Sequence, residues 1–85
     1  MSFKVELSER AVKDLKKFSR KDLERVFKTI EKLNDPFSLD IKKIKDNIYR
    51  VRAGRKIRLI VEIDFKEMTV LVARIDWRDR VYDRL

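Results

Sequence analysis

Seventeen consecutive residues, Lys42 to Arg58, carry eight cationic side chains (Lys42, Lys43, Lys45, Arg50, Arg52, Arg55, Lys56, Arg58) against one acid, Asp46, a net of +7. The whole chain of 85 residues has a formal net charge of +8, so nearly all of the excess is concentrated there. A cationic run that focused attracts polyanions, with RNA and DNA the first candidates. Arginine is well matched to phosphate, because its guanidinium is permanently charged, planar and able to bind two oxygens at once. The plainer alternative is a solvated strand and loop.

What is missing narrows the chemistry further. Cysteine and histidine are both absent, which removes disulfide frameworks, thiolate or imidazole metal sites, Cys nucleophiles and every His-based acid–base scheme. No metal and no cofactor are expected. Apolar residues make up 44% of the chain, with one Gly and one Pro, which argues for a folded core and against disorder. A domain this short buries only about 60–65% of the surface its unfolded chain exposes, so a tight partner is expected. There is no signal peptide and no apolar run near the roughly 18 residues that span a bilayer, which points to a cytoplasmic protein without membrane contact. Gln is absent, Asn occurs twice, and 45% of residues are charged, a composition resembling that of proteins from thermophiles.

The elements that must position the cations can be read from periodicity. Phe3, Val5 and Leu7 alternate with Lys4 and Glu6, predicting a half-buried strand. Ser8 is a helix N-cap with Glu9 in the first turn, followed by Ala11, Val12, Leu15 and Phe18 at helical spacing. Ser19 and Asp22 form a second start signal, with Phe18 and Leu23 as a hydrophobic staple. Leu23, Val26, Phe27, Ile30 and Leu33 then trace one face until Asn34-Asp35-Pro36 ends the helix. Two helices with almost no loop predict an αα-hairpin. Residues 35–46 read as a linker. Strands follow over Ile48 to Ala53, Lys56 to Asp64 and Met68 to Ile75, and Trp77 to Leu85 suits a short helix with Val81, Tyr82 and Leu85 on one side. The expectation is one α+β domain spanning 1–85, of order βααβββ(α), with an antiparallel sheet and the αα-hairpin on one face.

Strand parity decides which side chains meet. Ile57, Leu59, Val61 and Ile63 share one face, as do Tyr49 and Val51, and these belong under the helices. Arg50, Arg52 and Arg58 then converge on the opposite face, with Ile48 and Ile60 between them. Arg74, at the parity of Val70 and Val72, is expected to join them. The sheet should be apolar on one side and basic on the other.

Three blocks carry a family likeness: Ile48-Tyr49-Arg50-Val51-Arg52-Ala53-Gly54, Ile57-Arg58-Leu59-Ile60-Val61-Glu62-Ile63-Asp64, and Ala73-Arg74-Ile75-Asp76-Trp77-Arg78-Asp79-Arg80-Val81-Tyr82. In this order, behind a strand and two helices, they resemble the RelE/ParE superfamily of toxin–antitoxin toxins across essentially the whole chain. The resemblance implies the microbial RNase-like RelE fold and a cognate acidic, RelB-like antitoxin. In the RelE branch it implies cleavage of mRNA on the ribosome. Carried onto matching positions, it implies functional roles for Arg50, Arg52, Arg58, Arg78 and Tyr82. The chain departs from the pattern at Ile48 and Arg50, where the RelE branch often has lysine, and at Trp77, where the superfamily has histidine.

RNA can be cut by attack of its own 2′-OH on the adjacent phosphate, which requires a base, an acid, and cations for the phosphorane-like transition state. Stabilising that developing charge is commonly the largest contribution. Arg50, Arg58 and Arg78 are the candidates for it, and Tyr82 for proton transfer or base stacking. Lys43, Lys45, Arg52, Arg55, Lys56 and Arg74 are the candidates for holding the RNA. Asp76, Asp79 and Asp83 interleave with Arg78, Arg80 and Arg84, a pattern of surface ion pairs rather than a metal site. Two other functions fit the same features: a ParE-like inhibitor of DNA gyrase and a non-catalytic RNA-binding module.

Overall fold

The computed structural model describes residues 2–81. Strand β1 (Lys4–Leu7) leads into α1 (Glu9–Asp14), which tightens into a 3₁₀ turn over Leu15–Lys17, and α2 (Arg20–Glu31) follows. After a second 3₁₀ turn (Pro36–Ser38) come β2 (Ile41–Lys45), β3 (Ile48–Ala53), β4 (Ile57–Asp64) and β5 (Thr69–Trp77). The sheet order is β1-β5-β4-β3-β2, with the last four strands antiparallel and β1 parallel to β5. No helix among the described residues is long and apolar enough to cross a membrane.

Both helix starts follow from the expected caps. The Ser8 hydroxyl accepts the Ala11 N–H at 3.0 Å, and Ser19 accepts the Asp22 N–H at 3.3 Å. Ala11, Phe18, Val26 and Leu33 bring the helices onto Val51, Leu59, Val61, Val70, Val72 and Ile75 of the sheet. Two residues placed on the buried helix faces by periodicity point outward instead: Val12 is 50% exposed and Phe27 45%. The helices are short and pack on one side of a narrow sheet, so only the centre of each apolar stripe is covered.

The α+β expectation holds, and two details differ. The segment read as a linker contains an edge strand, β2, so the order is βααββββ. The sheet is mixed, because β1 lies beside β5 and runs parallel to it, with the helices and β2, β3 and β4 between them in the chain. Of the C-terminal segment expected to form a short helix, residues 78–80 make a turn, with Arg80 N–H donating to the Trp77 carbonyl at 2.9 Å, and Tyr82 to Leu85 lie outside the described residues.

An irregularity in β5 and the placement of α1 set up the site. Ile60 pairs with Arg74 while Val61 pairs with Val72, leaving Ala73 as an extra residue. Such a bulge inverts side-chain parity beyond it. Val70 and Val72 therefore face the helices before it and Ile75 after it, while Arg74 and Asp76 face away. Strand β1 stops opposite Val72, leaving an open edge along the rest of β5. Helix α1 and its N-cap cover that edge. Ser8 N–H donates to the Val72 carbonyl at 3.0 Å, the Ser8 hydroxyl to that of Ala73 at 2.9 Å, and Asp14 Oδ2 accepts the Ile75 N–H at 2.9 Å.

Candidate phosphate-binding cleft

The cross-strand register builds a cationic row. Arg52 on β3 is paired with Arg58 on β4, and Arg58 with Asp76 on β5; one row along, Lys42 is paired with Arg50 and Arg50 with Ile60. Paired residues share a face of the sheet, so these side chains emerge opposite the helices. There Arg50, Arg52, Arg58 and Arg78 line one cleft of about 450 Å³ with Asp40 and Asp79. A neighbouring hollow of about 300 Å³ is lined by Arg52, Arg55, Lys56 and Arg78. Guanidiniums from β3, β4 and the turn after β5 thus meet at one place.

The four arginines are held differently. Arg58 is only 6% exposed, and its Nη1 donates to the carbonyls of Ile57 at 2.9 Å and of Gly54 and Arg55 at 3.3 Å each. It fastens the β3–β4 turn from beneath while lining the cleft. Arg52 Nη1 lies 3.4 Å from Asp40 Oδ2 and Arg50 Nη1 lies 3.8 Å from Asp40 Oδ1, so one carboxylate orients two cations. Among the described residues the buried Nε of Arg50 has no hydrogen-bond partner. Arg78 is exposed, yet its backbone is pinned, N–H to the Lys56 carbonyl at 2.7 Å. Like charges crowded together repel in the absence of an anion, and a phosphate relieves that repulsion.

Of the expected RNA-holding residues, Arg52, Arg55 and Lys56 gather around Arg78. The other three do not. Lys43 pairs with Tyr49, a helix-side residue, and so lies on the opposite face of the sheet. Lys45 pairs with Ile48 at the far end of β3. Arg74 points away from the helices as expected, but because of the bulge rather than by sharing the parity of Val70 and Val72. Its guanidinium is engaged at the sheet edge, with Nε 3.1 Å from Asp14 Oδ2. Asp76, expected in a surface ion pair, is 1% exposed and lies 3.0 Å from Lys17 Nζ. Tyr82 falls outside the described residues.

The arginine cluster lies at one end of the open face. Its other end holds Glu6, Glu62 and Asp64 around a hollow of about 260 Å³. Among the described residues no group of three or more carboxylates could hold a metal ion. The cleft also contains two acids the sequence reading did not place there, Asp40 and Asp79. Reading β2 as a strand would have found the first, since Asp40 precedes it and its carbonyl accepts the Arg52 N–H at 3.0 Å.

No family model matches the chain. Over 88 aligned residues it is 33% identical to a protein of Methanocaldococcus jannaschii named "Putative toxin RelE1", covering 96% of this chain and 97% of that relative. A chain in the crystal structure of the RelB–RelE antitoxin–toxin complex from Methanococcus jannaschii is 32% identical, with a TM-score of 0.74 over 94% of this chain and 98% of that one. The RelE–RelB complex from Pyrococcus horikoshii contains a chain of the same fold, with a TM-score of 0.79 at 20% identity, covering 95% of this chain and all of that one.

Proposed function

The chain belongs to the RelE family of toxins from toxin–antitoxin systems, and from that premise we propose that it is an endoribonuclease, an mRNA interferase that cuts mRNA on the ribosome. The observation that carries the reading is the convergence of Arg50, Arg52, Arg58 and Arg78 on one cleft. In the proposed reaction a ribose 2′-OH loses its proton and attacks the adjacent phosphorus, a 2′,3′-cyclic phosphate forms, and the bond to the 5′-oxygen breaks as that oxygen takes up a proton and leaves as a hydroxyl. Extra negative charge builds on the phosphate oxygens in the transition state. Guanidiniums already held around it stabilise that charge without reorganising, and losing one such donor costs on the order of 10²–10³ in rate.

Proton transfer falls to groups other than imidazole. Asp79, which shares the cleft with the arginines, is a candidate acceptor for the 2′-OH proton, and Tyr82 is the candidate the family resemblance supplies. The ribosome, by holding the mRNA in place, supplies the orientation that a small open cleft lacks.

The partner proposed is an acidic, RelB-like antitoxin that covers the cationic end and folds as it binds, as suits a chain of net charge +8 and the RelB-containing complexes among its structural neighbours. The function is tested by adding the protein to a cell-free translation reaction on a defined mRNA and mapping new 5′ ends. Ends that fall at a fixed position in the codon support the reading. RNA that is bound and left intact would replace it with a non-catalytic binding module.

A further inference from the structure

A second cavity, of about 430 Å³, opens beside the arginine cleft and is lined by Lys56, Trp77, Arg78, Asp79 and Arg80. Its volume lies within the range of small-molecule sites, roughly 300–1,000 Å³. Three cations against one acid make it attractive to an anion, and a half-buried indole gives it an aromatic wall. Trp77 is paired with Ile57 and therefore sits on the helix side of the sheet, whereas the arginine cleft is on the other side. Arg78 lines both cavities and Asp79 does too, so the two are joined around the end of β5.

The aromatic wall and the backbone behind it are held in place. Phe18 meets the Trp77 ring edge to face, with centroids 4.9 Å apart at 65°, and the Arg78 N–H is bonded to the Lys56 carbonyl. An indole held in place beside a phosphate-binding cluster is the combination that single-stranded nucleic acids use, with the backbone tracked by cations and a base stacked on an aromatic ring.

We infer that the Trp77 cavity takes a nucleobase of single-stranded RNA, flanking the phosphate held by the arginine cleft. This rests on the reading of that cleft as a site for an RNA phosphate. A strand reaching from one cavity to the other must bend around Arg78, which a flexible single strand can do and a stiff duplex cannot. A base stacked on the indole fixes which nucleotide stands beside the scissile phosphate, so the cavity acts as a register device.

Trp77 is the single tryptophan of the chain, so its fluorescence reports this cavity alone. The full-length protein is titrated with a short, dye-labelled oligoribonucleotide, and binding is followed by the anisotropy of the dye while tryptophan emission is recorded in parallel. Quenching that saturates together with the anisotropy is expected, whereas an abasic strand of equal length should bind without quenching. The Trp77→Leu variant should bind the strand roughly 5- to 150-fold more weakly, the range for one stacked base, and Trp77→Phe should restore most of that loss. A strand that binds with unchanged emission, or an abasic strand that quenches equally, overturns the inference. A Trp77→Leu variant that fails to fold leaves the wild-type emission and Trp77→Phe to decide. Cleavage mapped separately on translated mRNA tests the nuclease reading, so the two can fail independently.

Discussion

Arg58 Nη1 donates to the carbonyl of Gly54 at 3.3 Å, tying a guanidinium that lines the cleft to the turn that shapes the cleft's rim. The same nitrogen reaches the carbonyls of Arg55 and Ile57. Arg58 therefore has a structural task as well as the chemical one proposed for it, and its removal should be felt twice. Arg58→Ala is expected to cost about 2 kcal/mol, through charge-assisted bonds to carbonyls lost near a buried site, lowering Tm by about 8–16 °C. Arg78→Ala removes an exposed side chain and should stay within about 0.5 kcal/mol of wild type. Thermal unfolding of both variants, set beside their cleavage rates, checks the contrast. Equal stability of the two would mean that the turn does not depend on Arg58.

Gly54 has φ +77°, and a Cβ built there would lie 3.1 Å from Cδ of Arg25 on α2. Both the left-handed backbone and the approach of Arg25 favour glycine. Arg25 is exposed and flexible at its far end, so it can retreat, and the backbone conformation sets the cost. Gly54→Ala should destabilise by about 1–2 kcal/mol, measurable as a shift in urea midpoint at constant slope. A stabilised variant would show that the turn leaves the left-handed region in solution.

Asp14 is a buried carboxylate that bonds to the Ile75 N–H at 2.9 Å and to Arg74 Nε at 3.1 Å, with Lys17 at 3.4 Å. Replacing it with alanine strands a backbone N–H on the β5 edge and leaves Arg74 to the more distant Asp76, whose Oδ2 lies 3.9 Å from Arg74 Nη2. Asp14→Ala is expected to cost about 3–4 kcal/mol, and Asp14→Asn, which keeps an acceptor for the N–H, about half of that. Hydrogen exchange at the Ile75 amide should quicken in the first variant far more than in the second.

Salt dependence tests whether phosphates are bound at all. If the cleft arginines neutralise about three phosphates of a single strand, log Kd against log salt should have a slope of magnitude about 2. Arg78→Ala should reduce that magnitude by about 0.7, whereas changing the exposed helix residue Lys28 to alanine should leave it as it is. A flat response in the wild-type protein would remove the cleft from RNA binding.

Most of the architecture is legible because local rules agreed with one another. Ser8 and Ser19 predict the helix starts, and the period-2 pattern places β3 at Ile48–Ala53 and puts Leu59, Val61 and Ile63 in the core. Parity on those strands also brings Arg50, Arg52 and Arg58 to one face. What was hidden depends on pairing rather than on local pattern. Strand β2 has three lysines among five residues, and a bulge between Lys43 and Lys45 breaks its alternation, so it reads as a linker. The extra residue at Ala73 changes the parity of β5, so alternation cannot give the right reason for the direction of Arg74. Asp40 and Asp79 enter the cleft through β2 and the turn after β5, neither of which has a strong signal. The burial of Asp76 follows from Lys17, 59 positions away in the chain.

The most direct test is to map cleavage on a translated mRNA with wild-type protein, Arg50→Ala, Arg78→Ala and the helix-face control Lys28→Ala. The cleft reading predicts new 5′ ends with the wild type and the control, and a fall in rate on the order of 10²–10³ for each arginine variant. Cleavage at full rate after loss of both Arg50 and Arg78 would contradict it.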